Sequence, residues 1–250
     1  MPFLRQKSHL SIDLMLKKVY NLIKRNAKNK IVKGWIMKYV HGKNLVLKDK
    51  KSIFIDATVK IGNNVTIYEN NRLSGNTVIG DNVTLLPNNY IADSVIGDGS
   101  VVNYSQSESA TVGKNCKIGP FSRLRPNAVL GNDVHVGNFV EIKNAVLGDG
   151  SKANHLAYVG DCDIGKGCNI GCGAIFVNYN GRIKQRSVVG DNCFIGSNCN
   201  VIAPVNIESN SYICAGTTVT KEVKTDDFVI GRVRQENLSG RAHNYLKEMK

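Results

Sequence analysis

The chain has 250 residues, 42% hydrophobic and 7% aromatic, with 24 glycines and 5 prolines, a composition that excludes a disordered polymer and leaves room for a buried core. No run of roughly 18 apolar residues occurs, which excludes a spanning helix. Met1–Leu10 lacks an apolar stretch and a small-residue cleavage site, so a cytoplasmic protein is expected. The net charge of +13 is local: residues 1–50 carry 13 Lys and Arg against Asp13 and Asp49, which leaves the rest of the chain almost neutral.

In chain order, residues 1–50 read as a basic helical arm. Ser11 can cap a helix with Ile12, Met15, Leu16, Val19, Leu22 and Ile23 on one face, interrupted at Gly34 and around His41-Gly42. Such an arm is either a solvated face or a contact for an anionic membrane or an acidic partner. No nucleic-acid motif accompanies it, so no nucleic acid is expected.

Residues 51–223 carry an internal repeat. Ile55, Ile61, Ile67, Leu73, Ile79, Leu85 and Ile91 recur with a period of six. The register slips by one at Ile96. It runs again through Val112, Ile118, Leu124, Leu130, Val136 and Ile142, and a third time from Val189 to Val219. A period of six fits neither a helix nor a long strand; it fits short strands bent at glycine-assisted corners, as at Ile61-Gly62 and Val136-Gly137. Three repeats close a triangular coil, and stacked coils bury an aliphatic ladder, so the chain is predicted to be all-β, a parallel β-helix of about nine or ten coils. Cys116, Cys162, Cys168, Cys193 and Cys199 each precede a ladder aliphatic by two positions and read as reduced inward side chains, not disulfides or zinc ligands. Residues 224–250 read as an extended tail with a short helix, placed to cover the open end of the stack.

Two places break the regularity. Arg125 and Lys143 are three repeats apart, one full coil, so they stack on one face; two cations in register either hold an anion such as a sugar phosphate between them or are two solvated surface charges. The polar stretch Asn178–Arg186 separates Phe176 from Val189 by one position more than two repeats need, which reads as a loop leaving the coil. Of five histidines, His135 and His155 fall on the coils; no close pair occurs, so no metal site is expected.

The hexapeptide pattern resembles left-handed β-helix acyltransferases, and the handedness comes from that resemblance, since the usual crossover rule predicts the reverse. From Ile118 to Gln235 the chain is similar to the C-terminal acetyltransferase domain of the bacterial bifunctional family that makes UDP-N-acetylglucosamine. The motifs are Arg-Leu-Arg-Pro at 123–126, His-Val-Gly-Asn-Phe-Val-Glu-Ile-Lys at 135–143, His-Leu-Ala-Tyr at 155–158, Asn-Ile-Gly at 169–171, Val-Asn-Tyr-Asn-Gly at 177–181, Val-Val-Gly-Asp-Asn at 188–192, Ile-Ala-Pro-Val at 202–205 and Ile-Gly-Arg-Val-Arg-Gln at 230–235. The resemblance implies His155 as general base, with Arg125, Lys143, Tyr158, Asn169 and Lys184 holding an amino-sugar phosphate. It also implies Cys172, Asn178, Tyr179, Ser197, Ala215 and Arg232 as contacts of acetyl-CoA.

The implied reaction is acetyl transfer to glucosamine 1-phosphate by direct attack of the amine, in a homotrimer with sites between subunits. The alternatives are the same chemistry on another phosphorylated or nucleotide-linked amino sugar, and a non-catalytic trimeric scaffold docking through its basic arm. The family's uridyltransferase domain has no counterpart here, so neither UTP nor magnesium is expected to be used. Asn154 replaces a glycine before the base, where a left-handed backbone is expected to present His155; Cys172 replaces an alanine and Asn180 an aspartate.

Overall fold

The computed structural model describes residues 42–244 and 246. The predicted arm helix falls on residues outside this range. The described chain winds into a three-sided parallel β-helix with two- or three-residue strands on most sides. The first face begins at Val46–Leu47, the second at Phe54–Ile55 and the third at Lys60–Ile61. Among the described residues the first two faces form one 19-stranded sheet and the third a nine-stranded sheet. The first two join because His135–Lys143 and Lys152–Gly160 pair with each other around the corner between them.

The period of six arises because the second residue of each short strand points inward. Ile67, Leu73, Ile79, Leu85, Ile91, Leu124, Leu130, Ile142 and Leu147 are fully buried ladder positions, each contributing about 1.5–3 kcal/mol of hydrophobic stabilisation. The five repeat cysteines are buried and free, and burial pushes the Cys162 thiol far above its usual range, so these cysteines act as small apolar filler. The gap in the ladder between Ile91 and Leu124 is Ser107, buried, with its hydroxyl 3.1 Å from that of Ser94.

The glycines that follow the ladder residues serve mainly close approach between coils: a Cβ on Gly113 would lie 2.6 Å from the carbonyl carbon of Gly131 in the next coil. The left-handed turn belongs to a residue further on, commonly Asn, as at Asn64, Asn82 and Asn115 with φ of 56°, 57° and 55°.

Coil pairing extends beyond 51–223 at both ends. Val46–Leu47 pairs with Thr66–Ile67 because Leu45 and Leu47 pack on the core, and Phe228–Val229 pairs with Tyr212–Ile213 because Val229 does the same. Among the described residues the tail includes a 3-10 turn at Ala242–Asn244 with no buried residue. The loop reading is corrected in length. Cys162 pairs with Ser187, 25 positions on, against 17 and 18 in the neighbouring coils, so most of 178–186 is an insertion at a single corner, not one extra position spread over two repeats. An antiparallel bridge between Tyr179 and Lys184 closes it on itself.

Candidate active site

The corner between the first and second faces carries His155. In the paired strands His135–Lys143 and Lys152–Gly160, His155 sits opposite Asn138. Its ring is exposed, with Nδ1 3.0 Å from Asn138 Oδ1. Backbone geometry at this edge is unusual. Earlier coils turn at Asn70 and Asn88 (φ 58° and 63°), whereas the next four turn at Tyr104, Phe121, Phe139 and Leu156 (φ 43°, 58°, 59° and 37°). Bulky residues in the left-handed region cost free energy and concentrate where function requires them. Phe121 and Phe139 stack at 5.6 Å between centroids and both are exposed. The left-handed residue beside His155 is thus Leu156, not Asn154 as expected, because Asn154 continues the strand whose carbonyl packs against Gly137.

The same edge continues into the later coils. The Gly173 amide donates to the Leu156 carbonyl (2.7 Å), that of Asn198 to Cys172 (2.8 Å) and that of Gly216 to Ser197 (2.8 Å). Arg232 Nη1 donates to the Ala215 carbonyl at 2.9 Å. Cys172, Ser197, Ala215 and Arg232 therefore form an exposed line that follows His155 along one margin of the second face.

The opposite margin holds a cleft of about 480 Å³ whose lining includes Arg125, Lys143, Asp161, Lys184 and Arg186. Arg125 and Lys143 are in register, as their one-coil separation required, but the expected unscreened pair is not what forms. Arg125 Nη1 donates to Glu141 Oε1 at 2.7 Å, and Lys143 Nζ lies 3.6 Å from Asp161 Oδ2. Each cation has its own carboxylate, so stacking alone does not demand an anion between them. The Glu141 hydrogen bond raises the guanidinium pKa of Arg125. Asp161 is 6% exposed; burial opposes its ionisation, but hydrogen bonds from Asn144 and Asn178 and the Lys143 charge together hold its carboxyl below the usual range.

Tyr158 lies on the second face between the two margins, with its hydroxyl 3.5 Å from Asn178 Nδ2. Its ring lies over Gly160, where a Cβ would come within 2.5 Å of the phenol oxygen. The loop is anchored at its return by Arg186, which pairs with Asp163 through two nitrogens and donates to the carbonyl oxygens of Asn144 (2.8 Å) and Cys162 (3.1 Å).

The structure thus brings Arg125, Lys143, Asn178 and Lys184 to one margin, aligns His155, Cys172, Ser197, Ala215 and Arg232 on the other, and sets Tyr158 between them. Asn169 is apart from both, on the first face in register with Lys152 and Phe194. Tyr179 is 53% exposed, its hydroxyl donating to the Gly181 carbonyl at 2.7 Å within the loop. His135 is also on the first face, its pKa lowered by burial and by Lys117 and Lys152. Sequence reasoning missed Asn138, Glu141, Gly160 and Asp161. A signal existed for the carboxylates: Glu141 and Asp161 follow Arg125 and Lys143 by about one coil each.

Two family models match the chain: the bacterial transferase hexapeptide (six repeats) over residues 109–144, and the hexapeptide repeat of succinyl-transferase over residues 187–221. Both matched segments thus carry hexapeptide repeats of the transferase type. The fold is the left-handed parallel β-helix expected from such repeats. This hexapeptide chain is 43% identical over 196 residues to the bifunctional protein GlmU of Clostridium novyi (strain NT), covering 78% of the chain and 43% of that protein. It is 46% identical over 187 residues to GlmU of Clostridioides difficile (strain 630), covering 75% and 41%. The chain thus spans less than half the length of these relatives. Among solved structures, it is similar to Arabidopsis UDP-N-acetylglucosamine acyltransferase (22% identity, 75% of this chain and 67% of that one, TM-score 0.43). GDP-perosamine N-acetyl transferase from Caulobacter crescentus also matches (23% identity, 47% and 50%, TM-score 0.37).

Proposed function

We propose that the chain is an acetyl-CoA-dependent N-acetyltransferase that converts glucosamine 1-phosphate to N-acetylglucosamine 1-phosphate. The observation that carries this reading is the layout of the second face, with a histidine on one margin, a cationic cleft on the other and Tyr158 between. His155 and Gly160, the residue in register with Lys143, are five positions apart, at most about 17 Å of extended strand, so the two margins flank one short face. The phosphate is held by Arg125, Lys143 and Lys184, and the sugar lies over Tyr158 with its amine toward His155.

In the mechanism Asn138 Oδ1 accepts a hydrogen bond from His155 Nδ1–H, which leaves Nε2 as the proton acceptor. His155 removes one proton from the sugar ammonium, and the freed amine attacks the thioester carbonyl carbon. The tetrahedral intermediate collapses to the amide, and coenzyme A leaves as the thiolate, taking up a proton. No acyl-enzyme forms. Acetyl-CoA lies along Cys172, Ser197, Ala215 and Arg232, with Asn178 and Tyr179 at the loop side. Asn169 faces away from this set, which supports a homotrimer in which a neighbouring copy's Asn169 completes the site.

The test is thiol release from acetyl-CoA with glucosamine 1-phosphate, for wild type and His155→Ala. The expected result is a fall of roughly 10²–10⁴-fold in kcat with an unchanged thermal midpoint. Wild type that releases no thiol overturns the reading, and equal rates overturn the role of His155. A second acceptor, a nucleotide-linked amino sugar, is favoured by one observation: the cleft runs past Arg125 and Lys143 to Lys184 on the loop, which places a further cation beyond the pair that one phosphate would engage. Competition between the two acceptors separates these readings.

A further inference from the structure

We propose that Asp161 is a positioning residue for this reaction, a buried carboxylate that sets the orientation of Lys143 and Asn178 and fixes the loop between them; the inference rests on the function proposed above. Asp161 makes the left-handed turn between the second and third faces with φ of 47°; the corresponding turns in the two coils below it are Asn127 and Asn144, and Asp93, at the same corner further down the stack, is exposed. Asparagine therefore makes this turn well. A carboxylate there adds a buried charge, which is costly unless partnered.

Its partners all belong to the cleft margin. Oδ1 accepts from Asn144 Nδ2 at 2.5 Å, Oδ2 accepts from Asn178 Nδ2, and Lys143 Nζ lies 3.6 Å from Oδ2. The backbone is engaged as well: its N–H donates to the Lys143 carbonyl (3.0 Å), and its carbonyl accepts from the Ser187 N–H (3.2 Å). Asp161 thus grips the loop at both ends, through the Asn178 side chain where it leaves and through Ser187 where it returns. The contrast with Glu141 separates a positioning role from simple charge balance. The Arg125–Glu141 side chains are each 35% exposed, so that pair can open toward an incoming anion, whereas those of Lys143 and Asp161 are 19% and 8% exposed. Through Asn178, Asp161 also reaches the Tyr158 hydroxyl, so one carboxylate connects the groups assigned to both substrates.

The experiment is steady-state kinetics of the full chain with Asp161→Asn. KM for glucosamine 1-phosphate and for acetyl-CoA is expected to rise about tenfold each, the loss of one charge-assisted hydrogen bond, with kcat within threefold and the pH profile of kcat unmoved. Combined with Lys143→Met, Asp161→Asn should add nothing to the acceptor KM, because it acts through Lys143. Unchanged KM values with only a lower thermal midpoint, or fully additive effects, would overturn the proposal. If Asp161→Asn does not fold, Asn144→Ala removes the Oδ1 contact, and both KM values should rise about threefold; unchanged values overturn the proposal equally. Wild type without turnover removes the proposed function and this inference together, whereas active wild type with unaffected variants removes the inference alone.

Discussion

The amino-terminal coils and the central coils of the same β-helix obey different rules. From Val46 to Ile91 the paired strands are mostly one full three-repeat coil apart, the first-to-second corner turns at Asn70 and Asn88, and every ion pair among the described residues involves residue 98 or later. Between Tyr104 and Arg186 some coils are one residue shorter, bulky residues take the left-handed turn between the first and second faces, and carboxylates pair with cations around a cleft. The regular coils show what the repeat needs for stability. The departures in the central coils are costs that packing does not require, and they surround His155 and Asp161.

The largest effect that can sharpen this comparison comes from the ladder itself. Leu73→Ala in the regular coils and Ile142→Ala in the central ones should each cost about 2–5 kcal/mol in urea unfolding, since both side chains are fully buried. Activity should separate them: Ile142→Ala lies between Glu141 and Lys143 and is expected to lower kcat/KM about tenfold more than Leu73→Ala. Equal activity losses would break the comparison.

A smaller effect tests the strained edge. Placing an aromatic where the regular coils use asparagine, as in Asn88→Phe, should destabilise the protein by about 1–2 kcal/mol, read from the denaturant midpoint. No change would mean that the left-handed aromatics of the central coils carry no strain.

The smallest effect is electrostatic. The Arg186 hydrogen bonds hold the Asp163 carboxyl below its ordinary 3.8. A carboxyl depressed in the folded state contributes stability that is present above its ordinary, unfolded value and is lost as pH falls through the lower folded value. Both side chains are more than a third exposed, so the effect on the whole protein is slight. Amide protection factors across 178–186, taken relative to the intrinsic exchange rate at each pH, should fall below pH 3.8 in wild type, and Asp163→Asn should lower them already at neutral pH. Protection that is independent of both would show that Arg186 does not anchor the loop.

Much of the fold was legible in the sequence because its information is local. Ile55 to Ile91 at a spacing of six, and cysteines two positions before ladder aliphatics, state which side chains point inward without reference to any distant contact. The site was legible only in part. His155, Tyr158 and the Arg125–Lys143 pair could be named as candidates, through the resemblance and the coil period, but the side chains that pair with them could not.

The sequence by itself determined the β-helix, the inward ladder and the stacking of Arg125 beneath Lys143, because a constant period fixes which residues share a face. Only the tertiary structure decided that Glu141 and Asp161 take those cations, that Leu156 and not Asn154 makes the left-handed turn, and that Asp161 joins Lys143 to Asn178. These contacts link residues about one coil apart, and each shortened coil, like the lengthened one from Cys162 to Ser187, shifts which residues meet. Pairing between coils is set by the sum of such shifts and by competition for a few buried polar positions, neither of which a repeat period encodes.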